Sequence, residues 1–573
     1  MVQRMLLGLF VALAPSVALA QGKLENYLPT KSQLYFHWDG MEMHRADYDK
    51  TAVGKMMQGE TGKFLDELWV YIHENLQTAA QNEPKVGPLL RDFTKLVGGM
   101  YKDGLAFGVS VDKINLPNVP NVQAVLAFPK AAGESGTLIP LIQKIAEETR
   151  AKVNTTKVGN RFVNTVTVEV LQIGWWAQGA DAILFLGTTD PVAYAKDIDA
   201  KKTGLASNAL YQRVAGFKEF KTNTRGYFDF GGALDIVNDI HPLAPKIIDE
   251  TGLRGLKSLT FVSGFDGPGE RSIVDVDIPG KREGLLSLTS TRKISLKDLP
   301  VLPSDIRGFS ASSISLNKSY DVLVKLVEGV AGAVAPDAAD TIKEGIKAFQ
   351  GAVGVDINKD IFGTFGDVLV SYNSPSDGFF GTGAVVAIQV KDGKKLIASI
   401  DKLVKAIPQN PAGEVSLKRK AYRGGEIIQV QMSGQANVHL ATFGLYKDWF
   451  VYSSYPTPIK GFIMRQEGVL PAWKADASLT KVLAQFPSEF NSIQVSDPRP
   501  TVQTLLSIAP LALNLANSFG GSPFLFPGYR PFDLELIPHA QEATMHLFPN
   551  VTIGTDDGKR VRSETRGSLV LPF

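Results

Sequence analysis

The chain has 573 residues, is 44% hydrophobic and carries a formal net charge of +2, so there is ample material for a large core. It contains no cysteine, which excludes disulfides, thiol catalysis, iron–sulfur clusters and every cysteine-based zinc site. Acidic and basic residues are interspersed with no polybasic tract, so the basic footprint that nucleic-acid binding needs is missing.

Residues 1–20 read as a cleavable secretory signal. Arg4 supplies the positive start, Met5–Ala14 the apolar run, and Ala18-Leu19-Ala20 the small-x-small site. The run is too short to span a bilayer. Without a cysteine after the site, thioether lipidation is excluded. The expected mature chain begins near Gln21 and is exported, to the periplasm or the outside medium. Two later apolar stretches, Val322–Ala335 and Leu505–Leu515, are short and interrupted by charge or by Pro510. They read as buried helices, so no transmembrane helix is expected in the mature chain.

The first half opens on a Leu-Pro pair and a strand, LPTKSQLYFHWD (28–39). A helix and a strand follow in LRDFTKLVGGMYKDGLAFGVSV (90–111), then a strand and an amphipathic helix over 122–148. Polar and apolar residues alternate through Asn164–Trp176, which reads as sheet. DAILFLGTTDPVAYAKDI (181–198) is a strand entering a helix with proline in its first turn. A helix carries Ile240-His241-Pro242-Leu243-Ala244, and the half closes on a hairpin over 256–280.

The same order returns after a polar, proline-punctuated join at Ile294–Pro303. LPSDIRGFSASS (302–313) answers the first opening, VDINKDIFGTFGDVLVSY (355–372) the second element, and 383–406 the third. Gly424-Gly425 sits between two strand-like runs in Tyr422–Met432 and predicts a hairpin. DWFVYSSYPTPIKGFI (448–463) again has proline just inside a helix, Ile508-Ala509-Pro510-Leu511-Ala512 echoes 240–244, and 542–573 is a closing hairpin. Gly520–Pro538 has no counterpart. The expected fold is α+β, with two homologous lobes, 21–295 and 296–573. Each is a largely antiparallel sheet with helices on one face.

The opening Leu28-Pro29 with Tyr35, the Thr51–Lys55 helix start and the Gly-Val-Asp-Ile-x-Lys-Asp run of Gly354–Asp367 resemble an uncharacterised family of secreted bacterial proteins. That family carries a domain of unknown function and is abundant in planctomycete-type bacteria. The resemblance spans most of the mature chain and implies an exported, non-catalytic protein. The second opening departs from the pattern, with Phe309 where the tyrosine would stand.

His37, Asp39 and His44, with Asp47 nearby, offer nitrogen and carboxylate ligands for a divalent metal. No helical ligand spacing organises them, and the competing reading is a strand-end cluster of surface polar groups. Asp356, Asn358 and Asp360 stand at the first, third and fifth positions of a calcium-loop pattern, with Asp367 at the twelfth. Ile361 stands where that loop needs glycine, so the alternative is an N-capping Asp356 and a short helix ending at Gly363 or Gly366. Gly381-Thr382-Gly383 reads as a strand-entry turn. Neither a Gly-x-Ser-x-Gly elbow nor a phosphate loop is present. No cofactor is expected.

Partner contact is assigned to aromatics. Trp175 and Trp176 end a strand and point to opposite faces, one to the core and one to solvent. Phe524, Phe526, Tyr529, Arg530 and Phe532 form an aromatic–arginine loop suited to a partner surface, or one that folds back over its own core. The functional expectation is an exported non-enzymatic binding or envelope-structural module whose partner is a protein or cell-envelope component. A carrier of lipid or another apolar ligand is the first alternative. A hydrolase with an inter-lobe site is the second, because triads are spatial.

Overall fold

A computed structural model describes residues 24–80, 86–112, 120–132, 138–238, 243–335, 337–379, 381–406, 414–433, 438–520 and 531–569. The expected signal, Ile240–Pro242 of the helical echo, and Phe524, Phe526, Tyr529 and Arg530 lie outside the described residues.

The protein is α+β, and its described residues form a 20-stranded antiparallel sheet. The first ten strands are β1 (Leu34–Trp38), β2 (Leu105–Val111), β3 (Val122–Phe128), β4 (Asn154–Val158), β5 (Arg161–Val168), β6 (Leu171–Gln178), β7 (Asp181–Gly187), β8 (Thr224–Phe228), β9 (Ser258–Asp266) and β10 (Gly269–Asp277). The second ten are β11 (Gly308–Ser313), β12 (Phe365–Asn373), β13 (Ala384–Val390), β14 (Glu414–Tyr422), β15 (Gly425–Ser433), β16 (Val438–Tyr446), β17 (Trp449–Ser453), β18 (Ser492–Ser496), β19 (Asn550–Asp556) and β20 (Arg560–Gly567).

Pairing runs β4-β5-β6-β7-β3-β2-β1-β8-β9-β10 in the first half. It runs β14-β15-β16-β17-β13-β12-β11-β18-β19-β20 in the second. The two orders match strand for strand. The halves join where β10 pairs with β20, from Glu270 opposite Gly567 to Asp277 opposite Arg560. Charges lace this seam: Arg271 Nε donates to Glu564 Oε1 at 2.8 Å, and Arg560 Nε to Asp277 Oδ1 at 2.9 Å. Arg282 grips Asp556 through both terminal nitrogens.

Local chemistry explains several elements. In the β14–β15 hairpin, Arg423 and Gly424 take φ of 48° and 72°, the paired positive φ of a two-residue turn whose twist suits the flanking strands. Asp190 caps the Pro191–Asp199 helix by accepting from the Val192 and Ala193 N–H groups. Gly381–Gly383 forms the turn into β13. Asn164–Trp176 is not one strand. Glu169 adopts φ of 57° and the chain turns there, giving β5 and β6.

Helices cover both faces of the sheet, not one as the sequence suggested. On one face of the first half, Tyr35, Val125, Trp176, Phe185 and Tyr227 pack with Tyr194 and Ile198 of the 191–199 helix. On the other, Phe36, Leu126, Trp175, Leu184 and Phe261 pack with Leu96, Met100, Leu138 and Leu141 of the 86–103 and 138–148 helices. The second half repeats the arrangement: Ile459 and Phe462 cover one face, Leu396 and Ile397 the other. Unbroken apolar runs such as Ala182–Phe185, buried at every position, are the signature of a sheet covered twice.

The two apolar stretches expected to be buried helices are helical, but the first is only partly buried, with Val322 in the core, and the second has no fully buried residue among those whose side chains are described. Leu323 and Val327 of the Ser319–Val334 helix are exposed, as are Leu505, Ile508, Leu511 and Leu515 of the Arg499–Gly520 helix.

Candidate functional site

The densest chemistry lies beneath β1. Tyr35 and His37 are two residues apart on that strand and so share a face. The antiparallel neighbour β8 places Tyr227 opposite Tyr35 and Arg225 opposite His37. A short 3-10 turn, Leu24–Tyr27, delivers Glu25 to the same place. His37 Nδ1 lies 2.5 Å from Glu25 Oε1, and the Tyr35 hydroxyl donates to the same oxygen at 2.9 Å. Arg225 approaches Glu25 Oε1 at 3.4 Å and Asp39 Oδ1 at 3.5 Å. His44 Nε2 meets Asp39 Oδ2 at 3.0 Å. Glu25, His37, Asp39 and His44 are all buried. Glu25 Oε2, His37 Nε2, Asp39 Oδ1 and Arg225 Nε have no hydrogen-bond partner.

The two carboxyls respond oppositely. Burial pushes Glu25 up, but the charges of His37 and Arg225 and the hydrogen bond from His37 outweigh it and hold the group down at about 2. Asp39 is raised, because its burial outweighs His44, Arg225 and His37. The signs follow by linkage. Glu25 contributes stability above its unfolded pKa, and that contribution is lost as pH falls from about 4.5 towards about 2. Asp39 favours folding more when protonated, so acid relieves it. We expect the urea midpoint to fall between pH 5 and about pH 2 to 3, and Glu25→Gln to flatten that fall. An unchanged slope in the variant contradicts the assignment.

The sequence offered His37, Asp39 and His44 only as weak candidates for a metal, and the structure brings the three side chains together. It also sets the Arg225 guanidinium 3.5 Å from Asp39 Oδ1 and 3.4 Å from His37 Nδ1, so a fixed positive charge already faces that carboxyl. The alternative reading of surface polar groups is also corrected, because the sheet face they share is covered. Asp356, Asn358 and Asp360 are spent as well. Asp356 caps the Lys359 N–H and pairs with Lys359, Asp360 binds Lys395 at 2.9 Å, and Asn358 donates to Asp321. Among the described residues no group of three or more acidic or histidine side chains is arranged to hold a metal. The expected N-cap at Asp356 is present, leading into short irregular turns that end at Thr364.

Glu25 and Arg225 were missed in the sequence. Arg225 carried a readable signal: it lies two residues from Tyr227 on a five-residue strand, so it shares the core-facing side. The second half resolves the same rung differently. Seven residues after Leu28 and Leu302 stand Tyr35 and Phe309, and two further stand His37 and Ala311. Ala311 faces Ile493 where His37 faces Arg225, and Ala311 and Ile493 are both buried.

Trp175 and Trp176 do point to opposite faces, but both are buried, 1% and 0% exposed. The expected solvent-facing tryptophan does not exist, because the 86–103 and 138–148 helices cover that side. Phe532 is also buried. Its ring meets Phe64 at 5.8 Å and Tyr71 at 5.2 Å, both edge to face, and its backbone exchanges two hydrogen bonds with the Asn517 side chain. Phe532 thus ties the Glu60–Ala80 helix to the Arg499–Gly520 helix.

Each of those two helices carries several exposed apolar groups. Leu65, Trp69 and Ile72 are exposed on the first, and Leu505, Ile508, Leu511 and Leu515 on the second. No residue of the second is fully buried among those whose side chains are described. A separate cleft of about 260 Å³ lies at the end of the 86–103 helix, where Lys95, Lys102 and Lys130 mix with Leu96, Met100 and Phe128.

No family model and no curated relative matches the chain. Among solved structures, crystal form III of TP0453 aligns with 46% of this chain and 82% of its own at 6% identity and TM-score 0.25; crystal form I gives 8% and 0.24 over the same shares. Likeness at that level carries no argument about fold or function.

Proposed function

We propose that the chain is an exported, non-enzymatic binding or envelope-structural protein of two homologous lobes, 21–295 and 296–573. One observation carries the binding reading: two neighbouring helices, 60–80 and 499–520, present large apolar side chains to solvent. Leu505 and Leu511 are 65% and 62% exposed. Single exposed apolar residues are ordinary, but a repeated stripe on a long helix marks a contact surface. The matching strand orders and the Leu-Pro openings support descent of the lobes from one ancestor. The non-enzymatic reading rests on the buried cluster: its carboxyls and imidazoles are out of reach of a substrate and already paired with one another. The secretory reading of residues 1–20 and the resemblance to secreted planctomycete-type proteins support export.

Neither alternative has comparable support. The lysine-lined cleft does not suit an apolar cargo, and no serine, threonine or histidine lines it to serve as a nucleophile or base. The test is co-sedimentation of the mature chain with the cell-envelope fraction of its source. The doubly charged variant Leu505→Asp/Leu511→Asp is expected to lower the bound fraction at least five-fold. Equal sedimentation of wild type and variant contradicts the reading.

A further inference from the structure

We infer that the Arg499–Gly520 helix lies in the plane of a bilayer surface, with zwitterionic phospholipid as its ligand. This rests on the docking reading above and names what docks. From Pro500 through Tyr529 the sequence has no Asp, Glu, Lys, Arg or His. The 22-residue helix, about 33 Å long, enters that run after its first residue, Arg499. Leu505, Ile508, Leu511 and Leu515 fall within an arc of about 120° at 100° per residue. The other exposed positions among those whose side chains are described, Thr501, Thr504, Ser507, Pro510, Ala512, Asn514 and Ser518, are small and uncharged.

Charge distribution selects the occupant. A helix seated in a protein groove is covered on one side, and its far side stays wet and takes charge freely. This helix is exposed on most of its circumference and carries no charge beyond Arg499 at its first position. A headgroup layer surrounds such a helix, accepting leucines below and hydroxyls and amides beside them. Crossing is excluded on hydropathy: among the described residues no helix is long and apolar enough to span a membrane. The neighbouring 60–80 helix adds exposed Trp69, a residue suited to the headgroup boundary. The helix's one charge, Arg499, is already bound to Asp476 and Asp497, which leaves no free charge for anionic lipid to attract, so binding is insensitive to salt.

The test is flotation of the mature chain with phosphatidylcholine vesicles at low salt and in about 0.5 M NaCl. Wild type is expected to float under both conditions, with less than a two-fold change. Leu511→Asp is expected to bind at least ten-fold more weakly, and Leu511→Ser to fall between. Phe162→Ser, an exposed apolar residue on β5, is expected to match wild type. Because the chain has no cysteine, Thr504→Cys takes a single environment-sensitive dye, expected to shift to the blue on vesicles. Failure to float, loss of flotation in salt, or equal binding by Leu511→Asp overturns the inference. So does self-association that Leu511→Asp abolishes in the absence of flotation. Envelope co-sedimentation retained without vesicle binding overturns the lipid assignment and leaves the docking face standing.

Discussion

Arg225→Met is expected to cost about 3–5 kcal/mol of unfolding free energy, measured by urea denaturation near neutral pH. The guanidinium is the only cation with a fixed charge in the cluster. Burial lowers its pKa, but Tyr35, Asp39 and Glu25 together hold it above its ordinary value. Removing it leaves two carboxyls buried, with only imidazoles and a phenol to face them. Losing one partner of a buried ion pair is costly because the other charge remains. The second half supplies the matching control, since Ala311 and Ile493 fill the same rung with hydrocarbon. The triple variant Glu25→Leu/His37→Ala/Arg225→Ile is therefore expected to return to within about 1–2 kcal/mol of wild type. A single variant that costs less than about 1 kcal/mol, or a triple variant no better than the single one, contradicts this account of the cluster.

Trp176→Ala and Trp175→Ala are each expected to cost about 3–5 kcal/mol. Trp176 sits with Tyr35, Phe185 and Tyr194 on one face, Trp175 with Phe36, Leu126 and Leu184 on the other. The pair separates on conservative change. Trp176 Nε1 donates to Gln178 at 3.3 Å, whereas Trp175 Nε1 has no partner. Trp175→Phe removes an unsatisfied buried donor along with some volume, so it is expected to cost less than Trp176→Phe. Thermal melts of the four variants check this. A cost near zero for Trp175→Ala contradicts the two-sided core.

Local signals carried most of the fold. Asp190-Pro191 marked a helix start, Gly424 a tight hairpin, and the closing hairpins at 256–280 and 542–573 became β9–β10 and β19–β20. These features act over a few residues, so they are legible in the chain. What failed was long-range. Alternation through 164–176 looked continuous because a turn at Glu169 preserves the polar–apolar rhythm. One-sided coverage was inferred from consecutive hairpins, although runs such as Ala182–Phe185 already spoke for two buried faces. The charge cluster was half visible: His37 and Asp39 stood out, but their cation comes from a strand 188 residues later. The Leu505–Leu515 stretch misled for a simpler reason. Apolar content says that a surface needs covering, and the covering can come from outside the chain.

Hydrogen exchange on residues 21–573, alone and with the envelope fraction of the source, tests the central claim most directly. New protection is expected in residues 60–80 and 499–520, with the strands that surround Glu25 and Arg225 unchanged. Protection that appears instead at the lysine-lined cleft, or nowhere, contradicts the assignment of those two helices as the working surface.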